Sequence, residues 1–332
     1  MFPTIYSTFD PSALAAFIST RYGLTHCQCE LIQLGVGDTY LINAASGKFV
    51  ARIYRNNHRT QEHIQAEVEL LNILRSNRVS VSYPVADQNG QYIQTLEAAE
   101  GSRHAVLFSF AEGQSPIKLT EGQLKVLGHE LAQFHHVSSK VKLTHTRWTF
   151  DISSTLIEPI SRTRHLFRTM NNELTWWISA AAQAREYLES LDTKNFSAGY
   201  CHYDVLPKNF HFDGDQITLF DFDFFGSGWL INDLMSFWTH LRIDVQFNRM
   251  TQSEADRCFQ ILLDAYRDHR FVSSEELRAI PSLSIGWWCF YMGFHASHDQ
   301  FMTFVKPDHL KMRTALIRQI TERNSKWNEQ FV

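Results

Sequence analysis

Four polar residues in the middle third of the chain have the types and spacing for phosphate chemistry. His202-x-Asp204 is followed by Asn209, and a short run of β-branched and aromatic residues, 217–222, carries Asp221, with Asp223 two residues on. A hard cation such as Mg²⁺ takes oxygen ligands and retains waters. One carboxylate and one amide carbonyl therefore suffice when phosphates supply the rest. Asp221 and Asn209 supply that pair. A second carboxylate must accept the proton of an attacking hydroxyl, and Asp204 suits that task. The ordinary readings stand beside these: an acidic loop residue for Asp204 and a loop-stabilising amide for Asn209.

Certain elements must hold these groups together. The spacing H-x-D-x-x-x-x-N puts Asp204 and Asn209 on one tight loop, which Pro207 stiffens. Asp213-Gly214-Asp215 reads as a turn between two strands, and a hairpin would fold Asp221 back against the loop. A Gly226-Ser227-Gly228 loop then leads to Asn232-Asp233-Leu234, which opens an apolar helix.

His202-Tyr203-Asp204, Asn209, Leu219-Phe220-Asp221-Phe222-Asp223 and Asp233-Leu234 together resemble the catalytic loop, metal strand and helix start of one group, the aminoglycoside phosphotransferase and choline kinase family. That resemblance implies an α+β, protein-kinase-like bilobal fold. Residues 1–112 would form a nucleotide-binding lobe with an antiparallel sheet and a helix. Residues 113–332 would form a larger, mainly helical lobe, with Gln114-Ser115-Pro116 as the best boundary. The resemblance also implies ATP and Mg²⁺ as cofactors and a small-molecule hydroxyl as acceptor. Asp204 would be the base and Asn209 with Asp221 the metal ligands; His202 would brace the loop. Asp223 would cap the Gly-Ser-Gly turn or hold a second metal. Asp233 would cap its helix, tie it to the catalytic loop, or do both.

The first lobe follows from the same comparison. Asp10-Pro11 starts a helix that Gly23 closes. Gly35-Val36-Gly37 is a turn between strands, and by resemblance it covers the nucleotide phosphates. Strand 48–54 carries Arg52, at the family's phosphate-pairing position, and Val50 on the same face as an adenine roof. Apolar residues at helical spacing over 59–76 define a helix whose Glu67 would orient Arg52. Strand 104–110 runs into the hinge, where main chain near Ser109 and Ala111 would meet the adenine edge. Helices are expected over 120–137, 152–167, 173–191, 230–245, 254–269, 275–304 and 310–327.

Composition narrows the rest. The chain has 332 residues, 44% hydrophobic, with a formal net charge of −4, so it is a folded protein without the basic run that nucleic acid or an anionic membrane demands. No stretch of about twenty apolar residues suggests a span, and the N-terminus lacks the pattern of a secretory signal. Five scattered cysteines fit reduced thiols in a cytoplasm. His295-x-x-His298 lacks a third ligand at recognisable spacing, so lining or packing of the substrate side is favoured over zinc. Trp287, Trp288 and Tyr291 could cage a quaternary ammonium, although buried packing is the commoner use. Oligomeric state leaves no signal.

Three functions compete. The first is phosphorylation of a small alcohol such as an amino-alcohol, homoserine, a sugar or an aminoglycoside. The second is an atypical protein Ser/Thr kinase of the bacterial stress-response type. Leu206 stands where conventional protein kinases have lysine, and no glycine follows Asp221-Phe222, which weighs against that class. The third is a nucleotide-binding pseudokinase, disfavoured by an intact Asp204, Asn209 and Asp221. The absence of an acidic run in the C-terminal helices disfavours a polycationic aminoglycoside, and Phe222-Asp223-Phe224-Phe225 is reminiscent of the homoserine-kinase branch.

Overall fold

Asp10 accepts a hydrogen bond from the Ala13 amide, Pro11 opens helix α1 (Pro11–Tyr22), and Gly23 closes it in the left-handed region at φ 68°. Three strands follow, β1 (Gln28–Gln33), β2 (Gly37–Ala44) and β3 (Gly47–Tyr54). Helix α2 (Gln61–Ser76) is capped by Thr60. Strands β4 (Ile93–Ala98) and β5 (Gly101–Ser109) complete a five-stranded antiparallel sheet in the order β1-β2-β3-β5-β4. The structure, a computed structural model, describes residues 2–56 and 58–331. Residues 1–114, 142–147 and 218–220 cluster as one compact unit; 115–141, 148–217 and 221–332 form the other.

In the first unit Leu14 and Ile18 of α1 join Tyr40, Ile42, Ala51, Ile53, Ala105 and Leu107 of the sheet in one core. A buried ion pair lies beside it. Arg103 on β5 meets Asp38 on β2 at 2.8 Å with both side chains fully buried, and donates to the Tyr54 and Ile53 carbonyls of β3. Tyr6 Oη donates to the other Asp38 oxygen at 2.6 Å. Strands β2, β3 and β5 are thereby cross-linked by side chain as well as by backbone.

The second unit begins with α3 (Glu121–Ser138), whose Thr120 and Gln123 form a reciprocal capping box. The helix expected over 152–167 is broken. A π-helical turn at Ser153–Ile157 precedes α4 (Glu158–Thr163), and a 3₁₀ turn covers Arg164–Phe167. Pro159 lacks an amide for a regular ladder, which accounts for the break. Helices α5 (Asn171–Ser190), α6 (Ile231–Gln246), α7 (Gln252–Arg267), α8 (Ser274–Ala296) and α9 (Pro307–Arg323) make up most of the remainder. The helix expected to run to 304 stops at Ala296, and a 3₁₀ stretch covers Asp299–Val305.

Two small sheets carry the motif. Strands β8 (Phe210–Asp213) and β9 (Gln216–Leu219) form the expected hairpin around Gly214. The Gly-Ser-Gly segment is a strand rather than a loop. As β10 (Gly226–Trp229) it lies between β7 (Ala198–Cys201) and the two-residue β6 (Thr149–Phe150). Glycine is required there because a Cβ on Gly226 would come within 2.4 Å of the Trp148 ring and 2.7 Å of the Phe150 ring. No helix among the described residues is long and apolar enough to cross a membrane.

Candidate active site

Strand β7 delivers His202, Tyr203 and Asp204 into a loop whose backbone is held from α6. Asp233, fully buried, accepts from the His202 amide at 2.9 Å and the Tyr203 amide at 2.6 Å. The His135 ring on α3 approaches the same carboxylate at 2.9 Å and Tyr266 at 2.7 Å. Asp233 is the third residue of α6 and its oxygens serve the loop, so it ties helix to loop and does not cap the helix. Ser236 adds a further bond, from the Val205 amide at 3.1 Å. His202 accepts from the Asp204 amide at 3.3 Å and packs on Phe222, matching the bracing expected of it.

Asp204 is 2% exposed. Its Oδ2 accepts from Asn209 Nδ2 at 2.7 Å and pairs with the Lys208 ammonium at 3.0 Å. Its Oδ1 accepts from the Tyr291 hydroxyl at 2.5 Å. Asn209 Nδ2 also bonds the Asp204 carbonyl at 2.8 Å, so the amide's NH₂ faces Asp204 and its carbonyl oxygen is directed the other way. A 3₁₀ turn, Pro207–Asn209, sets this spacing.

Asp221 is exposed and sits at φ 60°, ψ 59°, just before a 3₁₀ turn at Phe222–Phe224. Tyr203, beside Asp204, is also left-handed at φ 68°. Non-glycine residues enter that region at a cost of about 1–2 kcal/mol, and such strain gathers where function over-determines the backbone. Asp221 lies within electrostatic reach of Lys208. Burial alone would lower the Lys208 pKa, but Asp204 and Asp221 outweigh it and raise the ammonium above its ordinary value. Asn209, through its amide oxygen, and Asp221, an exposed carboxylate, are oxygen donors of the type a hard cation takes. Asp223 is 3% exposed within the 3₁₀ turn. With the Gly-Ser-Gly segment paired as β10, the turn it was expected to cap does not exist.

In the first unit Arg52, Glu67 and Gly37 lie together, while Val50, Ser109 and Ala111 sit elsewhere on or beyond the sheet strands. Arg52 Nη1 stands 3.8 Å from Glu67 Oε1, and Glu67, 1% exposed, accepts from Tyr54 Oη at 3.1 Å. Gly37 lies against Arg52, since a Cβ there would come within 3.2 Å of Arg52 Nε, while one on Gly35 would meet the Gly37 carbonyl at 3.3 Å. Val50 pairs with Leu41 and Phe108 across the sheet. The Ser109 amide donates to Tyr83 O at 2.8 Å, and its carbonyl accepts from Ser82 Oγ at 2.6 Å. The N–H of Ser109 is therefore committed within the fold, and only a carbonyl lone pair remains for a ligand there. Ala111 is buried one residue beyond Phe110.

Two residues of the site were not assigned to it from sequence. Lys208 is four residues from Asp204, a spacing that in hindsight signals a shared face of the turn. Tyr291 belongs to a stripe Trp287, Tyr291, His295 on α8, spaced one turn apart. Trp287 is buried and donates to the Tyr203 carbonyl at 3.0 Å, so it packs the loop and the ammonium-cage alternative gives way. Burial, with Asp204 second, holds the Tyr291 hydroxyl well above its usual pKa and keeps it a neutral donor. Among the described residues no group of three or more His, Cys, Asp or Glu side chains is arranged to hold a metal, and His295 and His298 pack against Phe294 and Phe301.

A buried carboxylate on a braced loop with an amide bonded to it, a second carboxylate acting on the same lysine, and an antiparallel sheet with an Arg–Glu pair are the marks of a protein-kinase-like phosphotransferase. Residues 28–273 match the model of the phosphotransferase enzyme family, and the chain belongs to that family. It is a kinase with an alcohol group as acceptor. A homoserine kinase of Rhodopseudomonas palustris is 25% identical over 74% of this chain and 72% of its own. Among solved structures, an amicoumacin kinase in complex with AMP-PNP, Ca²⁺ and Ami aligns at a TM-score of 0.72, with 16% identity over 95% of this chain and 94% of that one. A microcompartment-associated aminopropanol kinase aligns at 0.72, with 20% identity over 96% and 98%.

Proposed function

We propose that this protein transfers the γ-phosphoryl group of ATP to a hydroxyl of a small molecule, with Asp204 as the base. The observation that carries this reading is the Tyr291 hydroxyl on Asp204 Oδ1: a hydroxyl already stands where an acceptor's must be to surrender its proton. The acceptor oxygen would bond phosphorus as the bond to the leaving ADP breaks, and its proton would pass to Asp204. Phosphoryl transfer is mainly positioning and charge stabilisation, so the role of Asp204 is largely orientation. Asn209 and Asp221 would hold Mg²⁺, which when bound neutralises phosphate charge. Arg52, oriented by Glu67, would grip phosphate oxygens bidentately. Gly35 and Gly37 would cover the phosphates. Val50 would roof the adenine, and the Ser109 carbonyl with Ala111 main chain would meet its edge. A cytoplasmic setting, with no membrane or nucleic-acid partner, completes the proposal.

The AMP-PNP of the amicoumacin kinase and the names of the homoserine and aminopropanol kinases support a nucleotide and a small alcohol. An ATP-consumption screen over amino-alcohols, hydroxy-amino acids, sugars and aminoglycosides tests the reading, with a protein autophosphorylation control. Transfer to a small alcohol that is lost in both Asp204→Ala and Asp221→Ala is the expected result. Phosphate appearing only on protein would replace it with the atypical protein-kinase reading.

A further inference from the structure

Arg313, a half-buried cation of the second unit, has no carboxylate counter-charge among the described residues. Arg313 on α9 places Nη2 2.9 Å from His295 Nδ1 on α8. Its Nη1 is buried with no hydrogen-bond partner, and it forms no ion pair with a carboxylate among the described residues. A guanidinium has five donors and no acceptor, and burial without a counterion is costly. That cost is visible in its pKa, which burial lowers to about 10. Burial, then the charge of Arg313, then His298 and Lys208 push His295 down to about 3. The ring is therefore neutral. With Nδ1 accepting from arginine, the proton sits on Nε2, which becomes a second donor. Phe304 stacks on this ring at 5.0 Å and Phe301 lies at 4.9 Å, shielding it from water.

The cluster adjoins the base. His295 follows Tyr291 by four residues on one face of α8, their ring centroids 5.8 Å apart, and Tyr291 bonds Asp204. We infer that Arg313 and His295 form an anion-binding subsite for the carboxylate of the acceptor, which is a short hydroxy acid. The inference rests on the kinase reading above and narrows it. A hydroxyl on Asp204 and a carboxylate on Arg313 are bridged by a molecule spanning about one to two helical turns, each about 5.4 Å. An amino-alcohol without an acid would leave the arginine charge uncompensated.

Matched acceptors test this: L-homoserine and 4-hydroxybutyrate, each assayed beside its decarboxylated counterpart, 3-aminopropanol or 1-propanol. The acids should be turned over with the higher kcat/KM. Arg313→Met should raise KM for the acids about tenfold more than for their counterparts, the size expected when a hydrogen bond to a charged group is lost. Arg313→Lys should recover part of that ratio. Thermal unfolding of both variants separates a damaged fold from a lost contact. Preference for the decarboxylated members, transfer to sugars or aminoglycosides but to no acid, or equal losses for acid and counterpart in a folded Arg313→Met would each overturn the inference alone. Transfer to nothing in the panel would sink the kinase reading with it.

Discussion

Both oxygens of Asp204 are engaged by the chain itself, one by Asn209 and Lys208 and the other by Tyr291. An acceptor hydroxyl must therefore share or displace the tyrosine. Tyr291→Phe removes a competing hydrogen bond to a charged group, of about 1.5 kcal/mol. The KM for the acceptor should fall about tenfold in steady-state assays, the equivalent of that energy, with kcat little changed. A rise in KM would show that the hydroxyl helps to hold the acceptor. Asp221 offers a sharper separation of function from stability. Replacing it by glycine relieves the left-handed backbone and should stabilise the fold by about 1 kcal/mol in urea titrations, while phosphate transfer is lost. Reduced stability would mean that its carboxylate supports the fold.

At the scale of elements, the loop is only as well placed as its tie to α6. Asp233→Ala would orphan two buried amides and the His135 ring, and removal of one partner from such a buried charged network costs about 3–5 kcal/mol. Denaturant unfolding should show a loss of that order. What the sequence made legible here was chemistry that is local in the chain: the H-x-D and N of one loop, the carboxylate that follows one hairpin, and Asp233 in the first turn of the helix after β10. What stayed hidden depended on distant packing. The Tyr291–Asp204 bond joins residues 87 apart, and no spacing rule reports it. Strand β10 read as a loop because its glycines are there for the rings of Trp148 and Phe150, not for a turn. The span 152–167 read as one helix because apolar periodicity is blind to the π-helical turn and Pro159.

For the molecule as a whole, three histidines carry a common liability. Burial lowers the pKa of His104, His240 and His295 below the ordinary value, to about 3 for His295. Each is neutral in the fold but free to protonate when unfolded, so the unfolded chain binds more protons on acidification. Stability is then fully present above about pH 6.5 and falls as pH drops toward about 3. The melting temperature should decline between neutral and acid pH, and less steeply in His295→Gln. A flat profile, or equal slopes, would show that these rings find compensating partners.

All five cysteines are free thiols, and Cys201, the residue directly before His202, is fully buried, its Sγ donating to the Trp229 carbonyl at 3.2 Å. Burial, with Asp233 second, drives that thiol far above its usual pKa. Only a thiolate attacks an alkylating reagent. Iodoacetamide should thus leave this sulfur untouched until β7 separates from β10, so mass-resolved labelling at one atom becomes a clock for opening of the catalytic strand.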